Sequence, residues 1–320
     1  MKKILVIGAI GQIGSELTLE LRKLYGGENV IASDKRDTVT EKLKNSGPFE
    51  MVDILDKKSI IDLIKKHNIN AIVDLAAILS ATGEQNPMLA WNVNINGLIN
   101  VLEIAREFSM KQVMIPSSIA VFGPSTPLDC APQETVLKPT TMYGITKVAG
   151  ELVADYYVKK YNLDVRGLRY PGIISNETLP GGGTTDYAVA IYYDAVKFGK
   201  YSCFVKEDTR LPMMYMPDCL KATIDLMQAD FSKLVHHSDF NVGAMSFSVK
   251  ELADNIKKYI PSFTIEYKPD FRQAIADSWP NSVDDSAARK EWGWKPSYDL
   301  DNMTQDMLKV IGEKNKKGII

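Results

Sequence analysis

The chain has very little cysteine. Its three cysteines, Cys130, Cys203 and Cys219, lie far apart along 320 residues, and no two of them form a CxxC pair. This number and spacing indicate neither a disulfide framework nor a zinc motif. Isolated cysteines of this kind are typical of buried free thiols in a reducing compartment, and we expect a cytoplasmic protein.

Histidine is as scarce as cysteine, with three residues in the chain. His67 ends a helical pattern, and the adjacent His236 and His237 cannot both face one site from a regular element. A metal site needs several Cys, His, Asp or Glu ligands brought to one point. The sequence therefore predicts chemistry without a metal ion.

The chain also lacks an excess of charge and a long hydrophobic run. Thirty-eight basic and forty acidic side chains leave a formal charge of −2, which predicts no broad basic surface for a nucleic acid. The opening MKKILVIGAI has an apolar run of only about seven residues, too short for a membrane helix of about 20 residues and followed by glycines instead of a cleavage site. We expect neither a nucleic-acid nor a membrane partner.

What the chain does have is an alternation of short strand-like runs with longer helical patterns. The runs ILVIG, NVIAS, AIVDLAA, QVMIP and LDVRGLRY predict an α/β fold with a Rossmann-type doubly wound parallel sheet. After Pro171 the alternation stops, and we expect a smaller irregular α+β C-terminal lobe. The predicted sheet domain spans residues 1–173 with a return segment at about 212–243, and the lobe spans about 174–211 and 244–320.

Three glycines follow the first predicted strand in the stretch GAIGQIG, where a helix begins. Gly8 permits a sharp turn, Gly11 lets a pyrophosphate approach the backbone, and Gly14 lets the helix pack on the strand. Gln12 and Ile13 start the helix, whose N–H groups would meet the anion. We predict an NAD-binding loop here, with a plain strand-to-helix turn as the alternative.

Charged residues follow the second and third predicted strands. Asp34 ends NVIASD about 20 residues after the glycine loop, where a carboxylate accepts hydrogen bonds from the adenosine ribose and favours NAD over NADP. Lys35 and Arg36 soften this preference because they could screen a phosphate. Asp53 and Ile54 are placed to reach the adenine edge, although a surface turn would also explain Asp53.

A tyrosine and a lysine lie four residues apart at the start of a predicted helix, in YGITK. Tyr143 and Lys147 share a helix face, and a fixed lysine charge favours the phenolate that could take a proton from an alcohol. Ser118 ends the fifth predicted strand, at the edge where open α/β sheets bind ligands. Its hydroxyl could hold the alcohol oxygen. An exposed helical Tyr–Lys pair is the alternative.

Taken together, these motifs resemble the extended short-chain dehydrogenase/reductase superfamily over essentially the whole chain. The matching segments are GAIGQIG, DI at 53–54, LAA at 75–77, NVNINGLINVLE at 92–103, SSIAVFG at 117–123, YGITK at 143–147 and LRYPG at 168–172. The resemblance implies that Ser118, Tyr143 and Lys147 form the catalytic set, with Lys147 also bonding the nicotinamide ribose.

The same resemblance implies further contacts with NAD. Leu75, Ala76 and Ala77 would line the cofactor site, and Ile173 would lie against the nicotinamide. Asn94 matches a superfamily asparagine near the site, although a capping or packing role would also explain it.

Two segments bear on which superfamily member the chain resembles. UDP-sugar 4-epimerases usually carry an LRYFN-like segment whose asparagine contacts the UDP-sugar, whereas this chain has LRYPG, ending in Pro171 and Gly172. The stretches LRYPGIIS, PGGGTTDYAV and ADSWPNSVDDSAARKEWGWKP resemble the short-chain type of L-threonine 3-dehydrogenases. That resemblance implies NAD-dependent oxidation of the L-threonine hydroxyl to 2-amino-3-oxobutanoate by a homodimer built on the helices after Met88 and Tyr143.

Two alternatives stay open beside this reading. A UDP-sugar 4-epimerase, or a related sugar-nucleotide enzyme, is the first. A non-catalytic NAD-binding regulator is the second, and it is disfavoured because Ser118, Tyr143 and Lys147 are all present.

A small zwitterion such as threonine needs donors for its carboxylate and acceptors for its ammonium group. Ser80, Thr185 and Asp186 are the candidates, with Thr185 and glycine-loop N–H groups such as that of Gly183 facing the carboxylate. Asp186 could offset the ammonium charge or cap the following helix. Trp279 could enclose the substrate methyl group, with ordinary core packing as the alternative.

Overall fold

The computed structural model describes residues 2–179 and 181–320, so Pro180, the first residue of the predicted substrate loop, lies outside the described residues. Its strands are β1 (Ile4–Ile7), β2 (Val30–Asp34), β3 (Phe49–Met51), β4 (Ala71–Asp74), β5 (Gln112–Ser118), β6 (Val165–Tyr170), β7 (Gly172–Ile174), β8 (Lys200–Cys203), β9 (Arg210–Tyr215), β10 (Phe240–Asn241), β11 (Met245–Ser248) and β12 (Thr264–Tyr267).

Its helices alternate with the strands in the first half of the chain and follow no regular alternation in the second. They are α1 (Gln12–Tyr25), α2 (Glu41–Asn45), α3 (Lys57–His67), α4 (Ser80–Gln85), α5 (Pro87–Trp91), α6 (Gly97–Glu107), α7 (Met142–Tyr161), α8 (Tyr187–Phe198), α9 (Met216–Gln228), α10 (Val249–Tyr259), α11 (Arg272–Ala276), α12 (Ser286–Trp292) and α13 (Leu300–Lys316). A π-helical turn, Asn92–Asn96, joins α5 to α6.

The central sheet has seven parallel strands in the order β10-β6-β5-β4-β1-β2-β3. Successive side chains of β1 point to opposite faces: Ile4 and Val6 pack with α1 and α9, while Leu5 and Ile7 pack with α3, α6 and α7. Because helices cover both faces, the central strand β1 is apolar along its whole length. The predicted Rossmann-type fold is confirmed.

Chain order reverses between β1 and β4, which lie side by side at the centre of the sheet. Because the seven strands are parallel, their carboxyl ends lie at the same edge of the sheet. The helices that follow β1 and β4 pack on opposite faces. A crevice forms at such a switch point, outside the carboxyl ends of the strands. The site is therefore expected at the ends of β1, β4 and β5.

Two small sheets lie outside the central one. The first has the order β11-β9-β7, with β9 antiparallel to β11 and parallel to β7, and the second pairs β8 with β12. Side chains of α8, α10 and α13 pack there against the short turn Ile119–Val121 that follows β5. The second half of the chain thus rests directly on the end of the strand that carries Ser118.

Among the described residues, no helix is both long and apolar enough to cross a membrane. The same part of the chain contains no cluster of three or more His, Cys, Asp or Glu side chains suited to a metal ion.

Candidate active site

The glycine loop after β1 is folded tightly against the end of β4. Gly8 has a φ of +82°, and a Cβ atom there would lie 2.8 Å from the backbone of Leu75 and Ala76. A Cβ atom at Gly14 would lie 2.2 Å from the Gly8 carbonyl oxygen. Only glycine fits either position, and the loop brings the N-terminus of α1 to the crevice.

The N-terminus of α1 has the features of a phosphate site. No side chain caps it, since Gly11 is the N-cap residue. The Gln12 Nε2 donor is buried without a hydrogen-bond partner in the described part of the chain. Free helical N–H groups and an orphaned amide donor fit a bound pyrophosphate. NAD therefore fits this loop. Ile13, the next residue after Gln12, is half-buried.

Asp34 lies at the end of β2, next to the glycine loop. Its carboxylate accepts from the backbone N–H of Ile10 at 3.2 Å and from Arg36 Nε at 3.0 Å. Burial raises the pKa of Asp34, but the hydrogen bonds from Arg36 and Ile10 outweigh burial and hold the pKa below its usual value. Arg36 is therefore engaged by Asp34, while Lys35 is exposed.

The two residues after β3 face different surroundings. The exposed Asp53 accepts from the backbone N–H of Leu55 at 2.9 Å, which is a turn contact. Ile54 is buried, and its side chain packs closely against Gly97 of α6. Ile54 can therefore offer a cofactor its backbone more readily than its side chain.

The start of α7 is pressed against the turn that follows β5. Thr141 caps the helix by accepting from the backbone N–H of Gly144 at 3.1 Å, and a Cβ atom at Gly144 would lie 2.2 Å from the Ala120 carbonyl oxygen. This close approach brings Tyr143 beside Ser118, whose hydroxyl is near enough to affect the pKa of the phenol. The structure thus brings the predicted catalytic residues together.

Lys147 lies one turn further along α7 and turns inward. Its Nζ donates to the Pro116 carbonyl oxygen at 2.7 Å and lies 5.4 Å from the centre of the Tyr143 ring. Burial lowers the pKa of Lys147 to about 8, while the charges of Asp74 and Glu151 act in the opposite direction.

Burial opposes ionisation of Tyr143. It raises the pKa of Tyr143 to about 12, because desolvation disfavours the phenolate, and the neighbouring Ser118 hydroxyl lowers the pKa only in part. The Lys147 ammonium that was expected to favour the phenolate lies close to the ring, and the role of Tyr143 as a base stays a prediction.

Two hydroxyl groups join the predicted substrate loop to the sheet domain. Ser80, at the start of α4, and Thr184 share a buried hydrogen bond of 3.1 Å. Thr185 packs its methyl group against β7, where a Cβ atom at Gly172 would lie 2.9 Å from Thr185 Cγ2. The sequence pointed to Thr185 and missed Thr184, although the TT pair was the available signal. Ile173, next to Gly172, is half-buried beside this contact.

Asp186 closes the glycine loop on itself. Its carboxylate accepts from the backbone N–H groups of Gly182 and Gly183, at 2.8 and 2.7 Å. Burial raises the pKa of Asp186, and these two hydrogen bonds oppose the rise. The expectation that the Gly183 N–H faces a substrate carboxylate was wrong, because Asp186 already occupies it. Asp186 also makes no side-chain capping bond to α8.

Two other candidates are engaged in packing. Asn94 lies in the π-helical turn; its amide donates to the Ile78 carbonyl and to Thr146 Oγ1 and accepts from the Ile78 N–H. Trp279 is 5% exposed and belongs to the core of the second half of the chain. These contacts favour the packing alternatives for both residues.

Sequence reasoning missed a buried ion pair behind the catalytic residues. Glu151, one turn beyond Lys147, accepts from Arg169 Nε and Nη2 at 2.9 and 2.8 Å, and also from the Ser117 hydroxyl. The pair thereby ties α7 to β5 and β6. The spacing of Glu151 from Lys147 was the available signal, but the partner from β6 is evident only in the fold.

Comparisons with known proteins identify the family. The model of the NAD dependent epimerase/dehydratase family matches residues 4–243. An uncharacterised epimerase/dehydratase of Staphylococcus haemolyticus is 47% identical over 317 residues, which cover 99% of each chain. The chain belongs to this family, and its cofactor is NAD.

Solved structures extend the likeness. The L-threonine dehydrogenase of Clostridium difficile is 55% identical, with a TM-score of 0.95 and 98% of each chain covered. The holo form of the L-threonine dehydrogenase of Cupriavidus necator is 50% identical, with a TM-score of 0.94, covering 96% of this chain and 99% of that one. The resemblance to the short-chain L-threonine 3-dehydrogenases is thus confirmed.

Proposed function

We propose that this member of the NAD-dependent epimerase/dehydratase family oxidises the 3-hydroxyl of L-threonine to 2-amino-3-oxobutanoate. The solved structures that are about half identical to it bear the name L-threonine dehydrogenase. Ser118, Tyr143 and Lys147 lie at the switch point where an alcohol and a dinucleotide would meet.

The observation that carries the choice of substrate is at Gly172. In the LRYFN-like segment of nucleotide-sugar enzymes, the corresponding position holds the asparagine that contacts the sugar nucleotide. Here a Cβ atom at Gly172 would lie 2.4 Å from Met213 Sδ and 2.9 Å from the Thr185 side chain. A larger residue there would require Met213 or Thr185 to move, and the absence of the asparagine supports a small substrate over a UDP-sugar.

Residues of the chain divide the work of the reaction. The Ser118 hydroxyl holds the substrate oxygen and the Tyr143 oxygen together, and the ionised form of Tyr143 takes the proton of the threonine hydroxyl. Lys147 supplies positive charge beneath the Tyr143 ring and stays fixed by the Pro116 carbonyl. When bound, NAD⁺ supplies the acceptor for the hydride that leaves the threonine Cβ.

The loop 181–186 and α4 enclose the substrate in this proposal. The Ser80–Thr184 hydrogen bond joins them and leaves each hydroxyl a further position for a substrate polar group. Thr185 and Asp186 lie beside this contact, and Trp279 belongs to the same core cluster as Tyr187, the first residue of α8 after the loop. The division into an NAD-binding domain and a substrate-binding lobe belongs to the same proposal.

The test is the appearance of NADH absorbance with L-threonine, L-allo-threonine, L-serine, 3-hydroxybutyrate and UDP-galactose in turn. We expect NADH with L-threonine and none with UDP-galactose. The Tyr143→Phe variant is the control: it should lose activity by orders of magnitude while its NAD affinity is unchanged. Conversion of UDP-galactose without net NADH would instead establish the epimerase alternative.

A cytoplasmic homodimer is a further part of the proposal. Helices α5 and α7 carry exposed apolar side chains, among them Met88 at 73%, Leu152 at 67% and Tyr156 at 53% exposure. A second copy would remove such surfaces from water. Light scattering should show a dimer for the wild type and a monomer for Leu152→Glu; a monomeric wild type would overturn it.

A further inference from the structure

A small polar cavity lies beside Lys147, near the carboxyl ends of β4 and β5. Its volume is about 30 Å³, enough for one or two water molecules. The polar side chains that line it are Asp74, Asn94, Ser117, Thr146, Lys147 and Glu151. They come from four separate elements, β4, the π-helical turn, β5 and α7, and all are buried.

Four of the six polar side chains satisfy one another or the backbone. Asn94 donates to Thr146, which donates to the Tyr143 carbonyl. Ser117 donates to Glu151, whose charge is matched by the bidentate contact with Arg169. Their bonding needs are met within the protein.

Asp74 and Lys147 remain as the two charged groups without a direct charged contact in the described part of the chain. Asp74 Oδ1 accepts from the backbone N–H of Ala76 at 3.1 Å, and Lys147 donates to the Pro116 carbonyl at 2.7 Å. Both side chains are more than nine-tenths buried. Isolated buried charges are costly, so each group favours the charged form of the other across the cavity.

We propose that Asp74 is a positioning residue for Lys147: across this water-sized cavity, its carboxylate keeps the lysine ammonium charged and directed at the Pro116 carbonyl. In this role Asp74 acts through Lys147 and not by its own contact with the substrate or the cofactor. The proposed function does not assign Asp74 any part.

The titration behaviour of the two groups agrees with this geometry. Burial raises the pKa of Asp74 to about 7, and Lys147 opposes the rise. Burial lowers the pKa of Lys147 to about 8, and Asp74 and Glu151 oppose the fall. Asp74 is ionised above its folded pKa and Lys147 is protonated below its own. Both charges therefore coexist mainly between about pH 7 and 8.

A double-mutant cycle in the enzyme without added cofactor tests the pair. Urea unfolding of the wild type, Asp74→Asn, Lys147→Met and the double variant is measured at pH 7.5 and pH 5.5. We expect the two substitutions to be non-additive by about tenfold in the unfolding equilibrium constant at pH 7.5. At pH 5.5 the coupling should vanish, because Asp74 is then protonated.

Asp194→Asn provides the matched control. Asp194 lies on α8, burial also raises the pKa of its carboxyl group, and Lys197 is its charged neighbour. Its cycle with Lys147→Met should be additive at both pH values. If Asp74→Asn does not fold, the double-mutant cycle is measured with Asp74→Ala in its place. Coupling of equal size at both pH values, or none at pH 7.5, would overturn the proposal.

The kinetic consequence rests on the proposed function. In Asp74→Asn the alkaline limb of the pH profile for NADH formation from L-threonine should move to lower pH, because Lys147 loses its proton more easily. An unmoved limb would contradict this role. If no threonine oxidation occurs in the wild type, the proposed function fails, whereas the unfolding cycle still decides on the Asp74–Lys147 pair.

Discussion

Two glycine loops of this chain look alike in sequence and differ in structure. In the loop at Gly8–Gly14, a Cβ atom on Gly14 would meet the backbone at 2.2 Å, and the helix N-terminus behind it is uncapped. In the loop at Gly181–Gly183, a Cβ atom on Gly181 would meet only Leu79 Cδ1, at 4.0 Å, and Asp186 accepts from the N–H groups of Gly182 and Gly183.

The difference shows what makes a glycine stretch an anion site. Glycine removes steric barriers, but the N–H groups bind an anion only when no protein acceptor already occupies them. The first loop leaves donors for a pyrophosphate. In the second loop, the Asp186 carboxylate accepts from two of the N–H groups, beside the contact of Ser80 with Thr184.

The largest effect is expected when one methyl group is added to a glycine of each loop and the two variants are compared. Gly14→Ala should weaken NAD binding at least a hundredfold, because the added methyl would displace the Gly8 carbonyl and the start of α1. Gly181→Ala should bind NAD as the wild type does. Isothermal titration calorimetry on variants with wild-type circular dichroism measures both. NAD binding by Gly14→Ala within threefold of wild type would remove the distinction.

The next effect concerns the acceptor of the second loop. Asp186→Ala leaves two N–H groups without their charged acceptor, a loss of about 1.5–3 kcal/mol per hydrogen bond at full strength. The KM for L-threonine should rise at least tenfold, whereas the NAD dissociation constant should not change. Asp186→Asn keeps an acceptor oxygen and should lie between the two. Equal losses of NAD and threonine binding would mean that the loops are not independent.

A smaller effect is expected at the edge of the first loop. Asp34→Ala removes the carboxylate that holds Arg36 and frees its guanidinium for a 2′-phosphate. The ratio of NAD to NADP affinity should fall about tenfold. Asp53→Ala, which removes only a turn contact, is the control and should leave the ratio unchanged. An unchanged ratio in Asp34→Ala would show that Lys35 and Arg36 do not reach a phosphate.

The smallest effect tests backbone conformation alone. Gly182 has a φ of +100°. A Cβ atom added there would have Thr82 Oγ1 as its nearest neighbour, at 3.4 Å. Gly182→Ala should therefore cost about 1–2 kcal/mol of local strain without a clash. We expect a KM for L-threonine a few-fold higher than that of Gly181→Ala. No difference between these neighbouring variants would mean that the loop adopts another conformation in the working enzyme.

The features that the sequence predicted depend on short-range patterns. The sheet, the glycine loop and the Tyr143–Lys147 pair follow from strand and helix periodicity and from spacings within single elements, whereas the grouping of this pair with Ser118 was implied by the family resemblance. The Ser80–Thr184 contact joins residues 104 positions apart, and the Glu151–Arg169 pair also bridges separate elements. No periodicity encodes such pairs.

The features that the sequence could not show have a common physical origin. Burial, which raises the pKa of Tyr143, is a property of the packed site. The free N–H group expected at Gly183 was lost to Asp186, only three residues away, because the left-handed turn at Gly182 folds the carboxylate back. The sequence showed which reactive groups are present, but it did not show the local backbone conformation or the desolvation of these groups.

The Glu151–Arg169 pair restricts how this sequence can change over evolutionary time. Losing Arg169 would leave Glu151 as a buried uncompensated charge, at about 3–5 kcal/mol, a large part of the roughly 5–15 kcal/mol that holds a typical domain folded. Losing Glu151 would leave Arg169 with only the more distant carboxylate of Asp239, at 3.6 Å. Replacing both with apolar residues of similar size is often neutral. The two positions are therefore expected to drift together or not at all, although 18 residues separate them along the chain.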